Sequence, residues 1–254
     1  MNPATLYELD GPVAWLTINR PEVRNALGKD VREGLFEGVR KFNDDKAAKV
    51  LVLTGAGDKA FCAGGDLKEM AKTSLKVPPL ELLPQFGRNI EVEKPTISAV
   101  NGVAYAGGFL LAQNCDLCVA SDTALFAVTE VKVGRGSPWA VPLPWLIPPR
   151  VAMQLLLTGD PIDAARGYEL GLVNQVVPPD ALRETTQELA ERIASNAPLS
   201  VLAAKKTVRL IAEYSLSEAF VQADRIWEPA YRSDDAQEGP AAFQEKRAPV
   251  WKGY

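Results

Sequence analysis

The sequence predicts an α/β fold closed by a helical C-terminal module, and three observations carry the prediction. In the first half, short β-branched and apolar runs alternate with longer stretches of helical periodicity, the pattern of strands joined by crossover helices. From Pro179 onward the signal is almost wholly helical. A chain of 254 residues, 47% of them hydrophobic, can bury one sizeable core, as a single domain or a domain with an appendage.

Taken in order, VAWLTIN (Val13 to Asn19) reads as a strand. After Lys29, the spacing of Val31, Leu35, Val39 and Phe42 predicts a helix buried on one face, with Asp30 as its N-cap. KVLVLTG (Lys49 to Gly55), TISAV (Thr96 to Val100) and LCVAS (Leu117 to Ser121) are further buried strands. The stretch Leu75 to Leu83, with two prolines and weak periodicity, predicts a loop or a loosely held helix. LTGDPIDAARGYELGLVNQVV reads as turn, helix and strand, with Asp160 capping and Pro161 at the first helical position. ALRETTQELAERIAS and PLSVLAAKKTVRLIAEY are amphipathic helices, and Ser215 to Arg247 mixes charged with apolar residues. The expected division is a core over 1–195 and a helical module over 196–254. No internal sequence repeat stands out.

Composition narrows the chemistry. The chain has no histidine, which removes Ser-His-Asp hydrolysis, Cys-His chemistry and every His-containing zinc site. Proton transfer then falls to Glu, Asp, Lys, Tyr or Cys. A net charge of −4 without a long basic run argues against nucleic acid as a partner. The N-terminus lacks a signal-peptide profile, no apolar run approaches a membrane span, and three cysteines suit a reducing compartment. The expectation is a cytoplasmic protein with no membrane or metal partner.

GAGDKA (Gly55 to Ala60) fits a relaxed dinucleotide fingerprint, but no amphipathic helix follows, so a tight turn is expected. Cys115 and Cys118 form a lone CxxC, read as small buried hydrophobes. AVNGVAYAGGFLLAQNCD opens a helix at Gly107-Gly108, and AFCAGGDLKEM opens another after Gly64-Gly65, with Asp66 as cap. Both are either plain turn-and-cap devices or two sets of backbone N–H donors at helix starts, where negative charge is stabilised. Glu130, in FAVTEVKVG, is either a solvated glutamate at a strand edge or helix start, or a buried carboxylate raised toward general-base work.

These segments, in this order, resemble the crotonase superfamily, the enoyl-CoA hydratase/isomerase family. The resemblance runs from NRPEVRNAL through VLVLTGAGDKAFCAGGDLKEM, KPTISAVNGVAYAGGFLLAQNCD, FAVTEVKVG and LTGDPIDAARGYELGLVNQVV to EGPAAFQEKRAPVW. It implies a spiral of ββα units with a helical C-terminal trimerisation module, a homotrimer or dimer of trimers, and an acyl-CoA substrate. Coenzyme A enters as part of the substrate, and no separate cofactor is implied. The implied oxyanion donors are the backbone N–H groups of Gly65 and Gly107. The implied CoA contacts are Val23, Arg24 and Ala26, the strip Ala63, Gly64, Gly65, Asp66 and Leu67, and Phe243 and Lys246 toward a neighbouring subunit.

Hydratases of the family carry two glutamates around a water. The second matches Glu130; the first falls on Leu110. Where the hydratases have a glycine-rich turn whose N–H helps to hold that water, this chain has Pro138, which has no N–H. Trp139 and Trp145 are expected to dry the pocket. A lone glutamate resembles the delta-3,delta-2-enoyl-CoA isomerase branch, so the leading expectation is a double-bond shift with Glu130 as base. The alternative is a hydratase with an atypical second acid, for which Asp66, Glu69 and Tyr105 are candidates, or another crotonase-type reaction. A non-catalytic acyl-CoA binder is the reading from a different class.

Overall fold

In the computed structural model, residues 3–73 and 76–254 are described. Strands β1 (Thr5–Asp10) and β2 (Val13–Ile18) precede helix α1 (Lys29–Asp44), then come β3 (Val50–Gly55), β4 (Ala60–Cys62) and α2 (Leu67–Thr73). They are followed by β5 (Thr96–Val100), β6 (Val103–Tyr105), α3 (Gly107–Asn114), β7 (Leu117–Ser121) and β8 (Leu125–Ala127). Next are α4 (Leu143–Leu146), α5 (Pro149–Thr158), β9 (Ile162–Asp163), α6 (Ala164–Leu170) and β10 (Gln175–Val177). Four helices finish the chain: α7 (Leu182–Ala194), α8 (Pro198–Glu213), α9 (Leu216–Arg232) and α10 (Asp235–Glu245).

The strands form two sheets, one ordered β1-β2-β3-β5-β7-β10 and the other β4-β6-β8-β9. The pairs β1–β2 and β8–β9 are antiparallel and the remaining pairs parallel. Each turn of the chain lays one strand in the large sheet and the next in the small one: β3 then β4, β5 then β6, β7 then β8. A helix returns the chain after the first two of these pairs. This is the α/β crotonase-type architecture expected above, a spiral whose units repeat in structure without repeating in sequence.

Alternation along the strands of the large sheet builds two hydrophobic layers, because successive side chains point to opposite faces. Leu16, Leu51 and Leu53 pack with Val31, Leu35, Val39 and Phe42 of α1. Val13, Trp15, Val50, Val52 and Ile97 face the other way, onto Leu182 and Ala190 of α7. With both faces covered, these strands read as continuous apolar runs, which is why they were legible.

Several expected details differ. Asp30 does not cap α1; the N-cap is Gly28, and the first free N–H, of Lys29, is taken at 2.9 Å by Glu69 Oε2 from α2. Asp160 and Pro161 do not start α6 either. Pro161 leads into the extended pair Ile162–Asp163, Ile162 pairs with Phe126, and Asp163 caps by accepting from Arg166 N–H at 2.7 Å. Asp160 instead accepts from Lys132 Nζ. Of the expected loop at 75–83, residue 75 lies outside the described residues; the rest includes one 3-10 turn, Leu80–Leu82. GAGDKA is the tight turn between β3 and β4, with Gly57 at φ 82°.

The C-terminal helices are tied to the core. The Lys205 ammonium, on α8, pairs with Asp116 Oδ2 at 2.8 Å and also donates to the Lys94 carbonyl at 2.8 Å. The same Asp116 oxygen accepts from the backbone N–H and the hydroxyl of Thr96 on β5. Trp227 Nε1 of α9 donates to Thr207 Oγ1 of α8, and Trp251 Nε1 to the carbonyl of Ser195 after α7. Among the described residues, no helix is long and apolar enough to cross a membrane.

Candidate active site

The strands β4, β6 and β8 run parallel, so their C-terminal ends lie side by side. β4 ends in Ala63-Gly64-Gly65, β6 in Ala106-Gly107, and β8 leads through Val128 and Thr129 to Glu130. The topology thus brings both glycine pairs and the glutamate to one rim of the small sheet.

Close backbone approach explains the glycines at this rim. A Cβ on Gly64 (φ 96°) would sit 2.9 Å from Ala106 Cβ and 3.6 Å from Gly107 N. A Cβ on Gly108 would sit 2.1 Å from the Cys62 carbonyl oxygen, so only glycine lets α3 start against β4. Ala106 enters α3 at φ 51° and ψ −119°, a conformation that L residues seldom adopt and that costs about 1–3 kcal/mol. The first N–H groups of a helix have no intrahelical acceptor, so Gly107 carries a donor directed out of the start of α3.

The segment after the 3-10 turn Pro21–Val23 lies along this rim. Ala63 N–H donates to the Arg24 carbonyl at 3.0 Å, and Leu27 N–H donates to the Gly64 carbonyl at 2.8 Å. Arg24 and Asn25 both have left-handed φ. Asn25, fully buried, donates from Nδ2 to the carbonyls of Ala56 and Ala60 and accepts the Arg20 N–H on Oδ1. Val23, Arg24 and Ala26 are therefore brought beside Ala63, Gly64 and Gly65. Asn25, which holds that segment in place, escaped the candidate set although it sits in the middle of the motif.

Asp66 caps α2 as expected, its Oδ1 accepting from the N–H groups of Lys68 and Glu69 at 3.0 and 3.1 Å, and Leu67 is exposed. Glu69 is bound by Arg32 at 2.7 Å and by the Lys29 N–H, which hold its carboxyl below the usual range. Both carboxylates thus have structural partners, Asp66 at the start of α2 and Glu69 between α2 and α1.

Glu130 is buried, 9% exposed, in the first turn of the 3-10 segment Thr129–Val133. Its Oε1 accepts from the Trp139 indole N–H at 2.9 Å, while Oε2 is buried with no hydrogen-bond partner. Burial pushes the carboxyl above the ordinary glutamate range, opposed by its own backbone N–H and the indole hydrogen bond. The reading of a solvated glutamate is thereby corrected. Leu110, on α3, is 3% exposed and part of the same core. Pro138 opens a 3-10 turn, Pro138–Ala140, that delivers Trp139. The Trp139 ring meets Phe109 edge-on at 6.1 Å, and its carbonyl accepts from Gln113 Nε2 at 3.0 Å. Sequence reasoning gave Trp139 only a drying role. The hydrogen bond joins two irregular turns, and no periodicity signals it. Trp145 corrects its expectation: it is 67% exposed and does not dry the pocket in this chain.

Apolar side chains flank the glycines: a Cβ on Gly65 would lie 3.0 Å from Met70 Sδ, and one on Gly107 would lie 2.6 Å from Leu27 Cδ1 and 3.2 Å from Leu83 Cδ1. Phe243 is 87% exposed on α10 and Lys246 forms the left-handed C-cap of that helix, so both belong to the C-terminal helices and not to the strand-end rim. Burial raises the Cys62 and Cys118 thiols to about 12 and Cys115 likewise upward, which makes all three inert at neutral pH. Among the described residues, no cluster of three or more His, Cys, Asp or Glu could hold a metal ion.

The family described as enoyl-CoA hydratase/isomerase matches residues 8–254. The chain is 40% identical to an (E)-benzylidenesuccinyl-CoA hydratase of Thauera aromatica, with 99% of each chain covered. It is 36% identical to a carnitinyl-CoA dehydratase of Citrobacter koseri, over 100% of each. Among solved structures, a probable enoyl-CoA hydratase/isomerase from Mycobacterium abscessus superposes with TM-score 0.88 at 38% identity, covering 100% of both chains. An enoyl-CoA hydratase/isomerase from Mycobacterium paratuberculosis superposes with TM-score 0.92 at 32% identity, also over 100% of both. The two curated relatives are a hydratase and a dehydratase, which favours the alternative of water addition over the expected isomerase branch.

Proposed function

The chain belongs to the enoyl-CoA hydratase/isomerase family, and from that premise we propose that it adds water across, or removes water from, the α,β bond of an acyl-CoA, with Glu130 as its single carboxylate base. The observation that carries this reading is the state of Glu130: buried, one oxygen bound by an indole N–H, the other unpartnered.

In this reading the thioester carbonyl sits between the N–H groups of Gly65 and Gly107. As charge moves onto that oxygen, each fixed donor stabilises the enolate by about 3–4 kcal/mol. In hydration, Glu130 takes a proton from the attacking water as the water oxygen bonds to C3, then delivers that proton to C2. In dehydration, Glu130 takes the C2 proton first and hands it to the departing hydroxyl. One carboxylate serves both halves because the proton it receives is the proton it returns. The hydratase and dehydratase names of the relatives favour this direction of chemistry. CoA is held by Val23, Arg24, Ala26 and the strip from Ala63 to Leu67, with Phe243 and Lys246 reaching a neighbouring subunit. Exposed Val208, Ile211, Leu216 and Phe220 on α8 and α9 suit burial in a trimer, which the mass in solution would test.

A second reading, a shift of a 3-enoyl-CoA double bond into conjugation, is favoured by Leu110: with no second carboxylate, Glu130 moves one proton from C2 to C4. Incubation with a trans-2-enoyl-CoA and, separately, a trans-3-enoyl-CoA distinguishes the two. A water adduct formed from the first supports hydration. An isobaric product from the second, with no adduct from the first, overturns it in favour of isomerisation.

A further inference from the structure

We propose that Trp139 is a positioning residue for Glu130, its indole N–H holding Oε1 so that Oε2 alone serves as the proton-transferring oxygen. The inference rests on the reading of Glu130 as the base and adds the device that orients and tunes it.

A glutamate on a short 3-10 turn has several rotatable bonds, and fixing them costs rotamer freedom. Here the orienting donor is itself held by its neighbours. Pro138 fixes the backbone on the N-terminal side of Trp139. The indole packs edge-on against Phe109, which in turn meets Phe126 edge-on at 5.8 Å. Gln113, in the last turn of α3, clamps the Trp139 carbonyl. Leu110 and Gln113 lie one helical turn apart, so the helix that lacks the second carboxylate carries the strut for the tryptophan. An indole N–H donates and never accepts, so it cannot exchange roles with the carboxyl during turnover. The donor is therefore in place before substrate arrives, which is what preorganisation requires.

The same bond also bears on the pH at which Glu130 ionises. Burial favours the protonated acid, and the indole hydrogen bond favours the carboxylate that a base must be. The charged groups on the surrounding elements do not take this role. Lys132, on the same turn, is paired with Asp160 at the surface, Arg150 on α5 is exposed, and Arg135 donates its backbone N–H to the Glu130 carbonyl. None of them is among the groups that shift the Glu130 carboxyl.

The test is a double-mutant cycle of Trp139→Phe and Glu130→Gln, read as kcat, the pH profile of kcat/KM and CoA-thioester affinity. Trp139→Phe keeps a ring against Phe109 and removes the N–H. Its kcat falls about 10- to 100-fold, the acid limb of its profile moves to higher pH, and its affinity is unchanged. In the Glu130→Gln background the same substitution has no further effect on kcat. If Glu130→Gln is inactive while Trp139→Phe keeps wild-type kcat and acid limb, or lowers kcat by the same factor in both backgrounds, the positioning role is overturned and the base reading stands. If Glu130→Gln keeps wild-type turnover, both fall. Should Trp139→Phe not fold, Gln113→Met removes only the strut: a partial loss of kcat at unchanged affinity supports the proposal, and wild-type kcat with an unmoved acid limb overturns it.

Discussion

At the scale of single residues, Glu130 sets function against stability. Its carboxyl is raised in the folded protein by burial, so the folded state binds its proton more tightly than the unfolded chain does. The stability this contributes is full below the unfolded value near about 4.3 and is lost as pH rises through the raised folded value. A glutamine in its place has no charge to bury. Glu130→Gln is expected to melt above wild type at pH 7–8, by about 2–4 °C for each kcal/mol relieved, with the difference vanishing toward about pH 4. Thermal scans across pH check this. Asn25 is the opposite case, a buried polar residue fully used by three backbone partners. Asn25→Ala leaves those groups unpaired and should cost about 2–3 kcal/mol in chemical denaturation. The sequence marked Glu130 as a candidate base but not its partner, and it did not mark Asn25 at all: the indole and the carbonyls that meet these side chains are brought in by the fold.

At the scale of elements, what could be read follows length and burial. β2, β3, β5 and β7 are five or six residues long and mostly buried, and α1, α7 and α8 run for 13 to 16, so periodicity identifies them. β4, β6 and β8 have three residues each, too few for any period, yet their ends form the site. Their visible traces were the glycine pairs after β4 and β6 and Glu130 after β8. Gly107 and Gly108 are adjacent but not equivalent. A methyl on Gly108 strikes the backbone of β4, whereas one on Gly107 meets the flexible ends of Leu27 and Leu83. Gly108→Ala should cost about 3 kcal/mol or more and give little soluble protein, while Gly107→Ala should fold with a cost of about 1–2 kcal/mol. Soluble yield and denaturant midpoints separate the two.

At the scale of the whole molecule, the C-terminal helices and the large sheet meet through a partly buried ion pair. Lys205 is 8% exposed in its side chain and Asp116 23%, and Asp116 also receives Thr96 and, at 3.5 Å, Arg209. Lys205→Met leaves Asp116 its Thr96 and Arg209 partners. The loss should therefore fall below that of a fully buried broken pair, at about 2–3 kcal/mol. It should appear as faster amide exchange along α8, with β2 and β3 unaffected. Resemblance across nearly the whole chain made the architecture readable in advance, but it left the reaction branch open between isomerisation and water addition. One missing carboxylate pointed toward isomerisation, although a single buried glutamate with a fixed donor is chemically sufficient for water addition as well.

The most direct measurement compares wild type and Glu130→Gln for turnover of a trans-2-enoyl-CoA, alongside calorimetric affinity for a saturated acyl-CoA. Turnover lower by about 10²- to 10⁴-fold at unchanged affinity is the expected result. Wild-type turnover by the Glu130→Gln variant would contradict the account, because the chemistry would then need a base other than Glu130.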